Sequence, residues 1–259
     1  MNITRLVVLA GTGTALAASF ASAQSVEIEV TVRNLAPTNS VTFAPLRVGF
    51  HNGTYDAFNE GETATAPIIS IAEGGSGSDW FPAFGAADPT ATLGTVISDP
   101  AGPLLPGATA SAVFTVDASL NRFFTFASMV VPSNDHFIGN DSATQYELFD
   151  NSGNLLINNI TQFGSDIWDA GSEVNDPANA AFLVGGNNGD RIADNGTVEF
   201  DFEGLDLFNG LETAAGYTFD RQFGANDAIY SISFAVVPAP GVAGLFAAGG
   251  LMAARRRRA

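Results

Sequence analysis

The stretch SVEIEVTVRN, Ser25 to Asn34, alternates without a break. Val26, Ile28, Val30 and Val32 fall on one side, and Glu27, Glu29, Thr31 and Arg33 on the other. A period of two puts successive side chains on opposite faces, so this is a strand with one face in a core. TVEFDFEG (197–204) repeats the pattern with Val198, Phe200 and Phe202 inward. AIYSISFAVV (228–237) repeats it again, with Tyr230, Ile232, Phe234 and Val236 on one face. ASAVFTVD (110–117) is a further strand, and RFFTFASMVV (122–131) is apolar on both faces, as a central strand is. YELFDNSGNLLI (146–157) reads as a hairpin turning at Asn151 to Asn154. Gly, Asn, Asp and Pro loops such as EGGSGSDWFP (73–82) and VGGNNGDRIADNG (184–196) separate these runs. Only ATAPIISIAEGG (64–75) hints at helix, and a short one. No repeat of 20 to 50 residues is evident. The fold expected is all-β: an antiparallel β-sandwich with short helical insertions, its first and last long strands side by side.

Both ends of the 259-residue chain read as processing signals. Residues 1–23 combine Arg5, an apolar run and a small-residue ASA site, the pattern of a secretory signal peptide. Residues 238–259 hold a short apolar stretch closed by Arg255 to Arg258, preceded by a Pro-rich joint. The stretch is shorter than the roughly 20 residues a span needs, and the arginines suit transient retention at the inner membrane face. Between them, residues 24–237 form one domain large enough for a single core. All 27 acidic residues lie in that body with only five arginines and no lysine, a net charge of −22. Such a surface repels nucleic acid and anionic membrane and attracts cations, though plain solubility in a salty setting accounts for it equally. There is no cysteine, so the exported body is held by its core or by metal rather than by disulfides.

The candidate chemistry sits in SMVVPSNDHFIGND (128–141), where a strand stops at Pro132 and two Asn-Asp pairs follow. A catalytic His/Asp pair is disfavoured. Asp135 and His136 are adjacent, and on an extended strand they would point apart. No GxSxG elbow or cysteine nucleophile accompanies them. The second histidine, His51, ends a strand, and both histidines read as exposed loop residues. A hard cation such as Ca²⁺ takes six to eight oxygens from carboxylates, amides and carbonyls. Asn134, Asp135, Asn140, Asp141 and, one hairpin later, Asp150 offer those oxygens without EF-hand spacing. Asn-Asp loops are equally common as simple turns.

MVVPSNDHFIGND resembles the PSPDWFVG signature of spondin N-terminal domains, the adhesive module of F-spondin and mindin. SDIWDAGSEVNDP (165–177) resembles their WDAGTD signature. SVEIEVTVRNLAP, PLRVGFHNGTYDAFNEGETAT, IAEGG and LLPG resemble further segments in the same order. Asn134 stands where the signature has its second Pro, and His136 where it has Trp. The tail resembles a PEP-CTERM sorting signal, with VPAP in place of Pro-Glu-Pro. The first resemblance implies a sandwich similar to C2 domains with a divalent cation, Ca²⁺, at one end. Carried over, Asp135 matches the signature Asp and Asp141 an acid soon after it. Asp150 falls where a further acidic ligand stands, and Asp117 near the upstream one. Asp169 and Glu173 organise the turn of the second motif, a place near the site being the alternative.

The function expected is an exported surface or matrix protein with a cation-binding adhesion module and no enzymatic activity. Its partners are a divalent cation and an extracellular protein or polysaccharide, with no nucleic acid and only transient membrane contact through the C-terminal segment. The alternatives are a structural matrix component without a specific ligand, and a surface polymer hydrolase. With His136 a bystander at the rim, His136→Trp should be tolerated, and Asp135→Ala should lower stability only when Ca²⁺ is present.

Overall fold

A computed structural model describes residues 25–238. The expected signal peptide (1–23) and all but the first residue of the expected sorting segment (238–259) lie outside them. Among the described residues no helix is long and apolar enough to cross a membrane.

Two antiparallel sheets form the body. The first comprises β1 (Ser25–Asn34), β5 (Thr109–Asp117), β8 (Asn159–Phe163) and β11 (Ala228–Val236), in the order β5-β1-β11-β8. The alternation of β1 works as read: Ile28, Val30 and Val32 are buried. The first and last strands do lie side by side, with Val32 opposite Ile232. Tyr230, Ile232 and Phe234 are buried, but Val236 is half exposed because it lies at the sheet's end, beyond the core.

The second sheet runs β10 (Glu199–Phe200), β9 (Trp168–Asp169), β7 (His136–Gly139), β6 (Phe123–Val131), β3 (Leu46–His51) and β4 (Thr92–Val96), and β2 (Thr42–Phe43) also pairs with β6. Strand β6 is central, and its two apolar faces have two partners. Phe124, Phe126 and Val130 point into the core between the sheets, with Phe50, Ile28 and Phe234. Ala127 points the other way, into a second core formed with two helices. Each fully buried Phe is worth about 1.5–3 kcal/mol relative to exposure.

Those helices are α1 (Ala66–Gly74) and α2 (Trp80–Ala87). The first is the one the sequence hints at, and it buries Ile68, Ile71 and Ala72. The second corrects the reading of 73–82 as an unbroken loop. The Gly/Ser run ends at Ser78, and Pro82 is tolerated in the first helical turn. Trp80 and Phe84 then supply the anchor, fully buried against Tyr55. Gly49 of β3 makes room for this helix: a Cβ there would lie 2.4 Å from the Phe84 ring.

Two further readings are corrected. TVEFDFEG forms only the two-residue edge strand β10, and Phe200 is exposed on it, stacked on Trp168 at 3.6 Å instead of pointing inward. The segment 146–157 turns at Asp150–Asn154, one residue wider than expected, but it contributes only two isolated bridges, Phe149 to Leu155 within it and Glu147 to Phe123 of β6, and no regular strands.

Candidate functional site

The register of β7 against β9 builds the site. His136 lies opposite Asp169, and Phe137 opposite Trp168. Paired positions share a face, so the two aromatics enter the helix-side core while imidazole and carboxylate meet on the other face. The His136 Nε2 lies 3.7 Å from Asp169 Oδ2 and 3.8 Å from Asp201 Oδ2, just after β10. Both separations exceed hydrogen-bond length, so these contacts are coulombic.

Asp135 occupies the bend that precedes β7, which removes the objection that neighbours on a strand point apart. Asp135, His136 and Asp169 each offer a ligand atom, and these atoms lie within 4.8 Å of one another. The Asp135 Oδ2 accepts three hydrogen bonds: from the Ser172 N–H at 2.7 Å, the Ser172 hydroxyl at 3.0 Å and the Glu173 N–H at 2.9 Å. The second motif delivers those donors through a tight turn. Asp169 Oδ1 accepts the Gly171 N–H at 2.6 Å, and Gly171 holds φ +61, where L side chains are strained. Asn134 extends the same seam, donating to Glu173 Oε1 at 2.8 Å and accepting from the Asp176 N–H at 3.0 Å. The two sequence signatures therefore form one structure, each holding the other's loop.

His136 is the main correction. It is no exposed loop residue but fully buried on β7, and His51 is likewise fully buried at the end of β3. The reason is local: β7 is an interior strand, and the segment around Asp201 and Gly204 covers the imidazole. Burial alone would lower the His136 pKa, but Asp201, Asp169 and Asp135 outweigh it and raise it. Burial raises the Asp135 pKa, and Asp169 adds to the rise. Asp201 is held below the ordinary carboxylate range, chiefly by His136.

Of the acids expected to bind metal, only Asp135 belongs to this cluster. Asp141 accepts the Glu60 N–H at 3.1 Å and lines a separate groove. Asp150 closes its own turn, accepting from the Ser152 and Asn154 N–H groups at 2.7 and 2.9 Å. Asp117 does the same with the Ser119 N–H at 3.0 Å. Asp169 organises its turn as expected and also faces His136. Asp201 carried no signal, because it stands in a run whose alternation assigned it only to an outer face.

The donor set fits a divalent cation on one observation. Asp135 Oδ1 and both His136 ring nitrogens are buried without a hydrogen-bond partner. Buried polar atoms are nearly always paired, and a cation beside Asp169 would give the Asp135 carboxylate and one of the two ring nitrogens a partner, the second nitrogen facing away from it. An ion there would tie β7 to the β9 turn and neutralise the Asp135 carboxylate, which burial otherwise penalises.

Fold and site together define a β-sandwich module whose two loop motifs lock around a buried carboxylate–imidazole cluster. Residues 31–175, more than half the chain, match the Spondin_N family, and the chain belongs to it. That family is an extracellular one of adhesion and matrix type. No curated protein matches the chain.

Proposed function

We propose that this chain is an exported adhesion module of the cell surface or matrix, with one divalent cation held by Asp135, Asp169 and His136. The orphaned Asp135 Oδ1 beside an unpartnered imidazole nitrogen carries the reading. The resemblance implied Ca²⁺. Ca²⁺ takes oxygens, whereas a mixed set of carboxylates and an imidazole suits Mn²⁺ or Zn²⁺ better. The ion's role here is structural: it joins the two signature loops, so one end of the sandwich is firm enough to present a binding surface. Domain bounds of 24–237, an N-terminal signal peptide and a PEP-CTERM-like tail complete the proposal, the last two delivering the module outside the cell.

Thermal unfolding of the full chain with Ca²⁺, Mn²⁺ or Zn²⁺ against a chelator tests the cation. Ligand that binds only the native state raises stability by mass action, about 2.7 kcal/mol at a hundred times Kd. At least one ion should raise the midpoint, and Asp169→Asn should abolish the rise. No rise with any of the three refutes the cation reading.

A further inference from the structure

A groove of about 530 Å³ lies outside the cation cluster, where the end of β8 meets β7 and β9. Its size is that of a ligand cleft. Glu60, Asp141 and Asp166 line it, and no arginine or histidine does. Two aromatic rings stand at its rim: Phe163, 39% exposed, and Phe200, 49% exposed on its Trp168 base. Scattered exposed apolar residues mean little, but here two share one acidic cleft.

Acidic clusters are common on so negative a chain. A second observation separates this one. Gln162, 4% exposed, lines the groove, and its side-chain carbonyl oxygen is buried without a hydrogen-bond partner. The groove thus sets three carboxylates beside a buried unsatisfied acceptor, and a donor-rich cation suits that set. A planar guanidinium donates five N–H groups, pairs with carboxylates and stacks on aromatic faces.

The groove also runs along the edge strand of its sheet, where the Phe163 N–H is already taken by Asp166 Oδ2 at 2.8 Å. β8 is the last strand of its sheet, no described strand pairs with its outer side, and Thr161, Gln162 and Phe163 of β8 form one wall. An extended segment can add to such an edge through its main chain while a side chain enters the adjoining pocket. We propose that this groove docks an extended, arginine-bearing segment of a partner protein, the β8 edge pairing its backbone and the Glu60–Asp141–Asp166 cleft taking a guanidinium. This rests on the adhesive reading for its setting and names the chemistry of the partner; none of its residues is a proposed cation ligand.

The test is fluorescence anisotropy of the full chain with a labelled heptapeptide of alternating Arg and Thr, at about 0.15 M salt, where long-range attraction is screened. The same peptide with citrulline for Arg removes charge but keeps shape. The expected result is saturable binding, weakened about tenfold or more by citrulline and by the Glu60→Gln/Asp141→Asn double variant. Glu27→Gln/Glu29→Gln, on the outer face of β1, should leave it unchanged and so excludes general attraction. The proposal is overturned by no binding, by equal binding of the citrulline peptide, or by equal loss in both double variants. Displacement by an amino-sugar oligomer that binds more tightly than the peptide also overturns it, in favour of a polysaccharide. Repeating the assay with chelator separates the two proposals: peptide binding that survives while no ion stabilises the chain removes only the cation reading.

Discussion

Asp135→Ala should destabilise the protein even in chelator, against the expectation that its effect needs Ca²⁺. The substitution strips the Ser172 and Glu173 N–H groups and the Ser172 hydroxyl of their shared acceptor. Glu173 is buried, so its N–H has little access to water. A buried donor left unmade costs about 1–3 kcal/mol, so two backbone donors and a partly buried hydroxyl cost about 3–5 kcal/mol. For a domain of this size each kcal/mol moves the midpoint by about 2–4 °C, so the fall is about 10 °C. Asp135→Asn keeps an acceptor oxygen and removes a charge that burial already disfavours, so it should cost no more than about 2 kcal/mol in chelator. Calorimetry of both variants with and without the cation gives the comparison. If Asp135→Ala matches the wild type in chelator, the three hydrogen bonds do not hold the loops together and the reasoning fails.

His136→Trp should lower stability by about 1–3 kcal/mol by overpacking, since the imidazole is fully buried and a Cβ on Gly204 would already lie 3.1 Å from Nε2; urea unfolding at neutral pH measures it. Gly49→Val should cost a similar ~1–3 kcal/mol because the Phe84 ring, wedged among Tyr55, Trp80 and His51, has nowhere to go; adding Phe84→Leu should recover part of the loss. His51 should make the protein acid-sensitive. Burial lowers its pKa from 6.5 to about 4, with Asp88 opposing, so the unfolded chain takes up a proton that the native state refuses. Stability is then complete above about pH 6.5 and falls by about 3 kcal/mol on the way to pH 4. His51→Gln should remove that part of the loss between pH 7 and 4.5 in urea titrations, the carboxylate contribution being common to both proteins.

Legibility in the sequence followed the physics of each segment. The alternation of Val26 to Val32 survives because β1 has one wet face and one buried face. The uniform apolarity of 123–131 marked a central strand, although only the structure shows that helices cover its second face. Helix α2 hid behind a Gly/Ser run, and its anchors Trp80 and Phe84 have meaning only against Gly49, some thirty residues earlier. Phe200 defeated the alternation rule because it sits on the edge strand β10: its ring stacks on Trp168, itself buried in the helix-side core, and stays half exposed. In the site, Asp135 was legible from its motif. The convergence of His136 with Asp169 and Asp201 was not, because it depends on register, and register comes from pairing across the sheet.

The central claim is that the two signature loops close on one divalent cation. Crystals of the full chain grown in Mn²⁺ and measured at wavelengths either side of the metal's absorption edge would test it directly. The account predicts an anomalous peak within bonding distance of Asp135 Oδ1 and Asp169. A peak confined to the Asp117, Asp141 or Asp150 turns, or a clean map at the cluster in saturating Mn²⁺ with His136 and Asp135 unmoved, would contradict it.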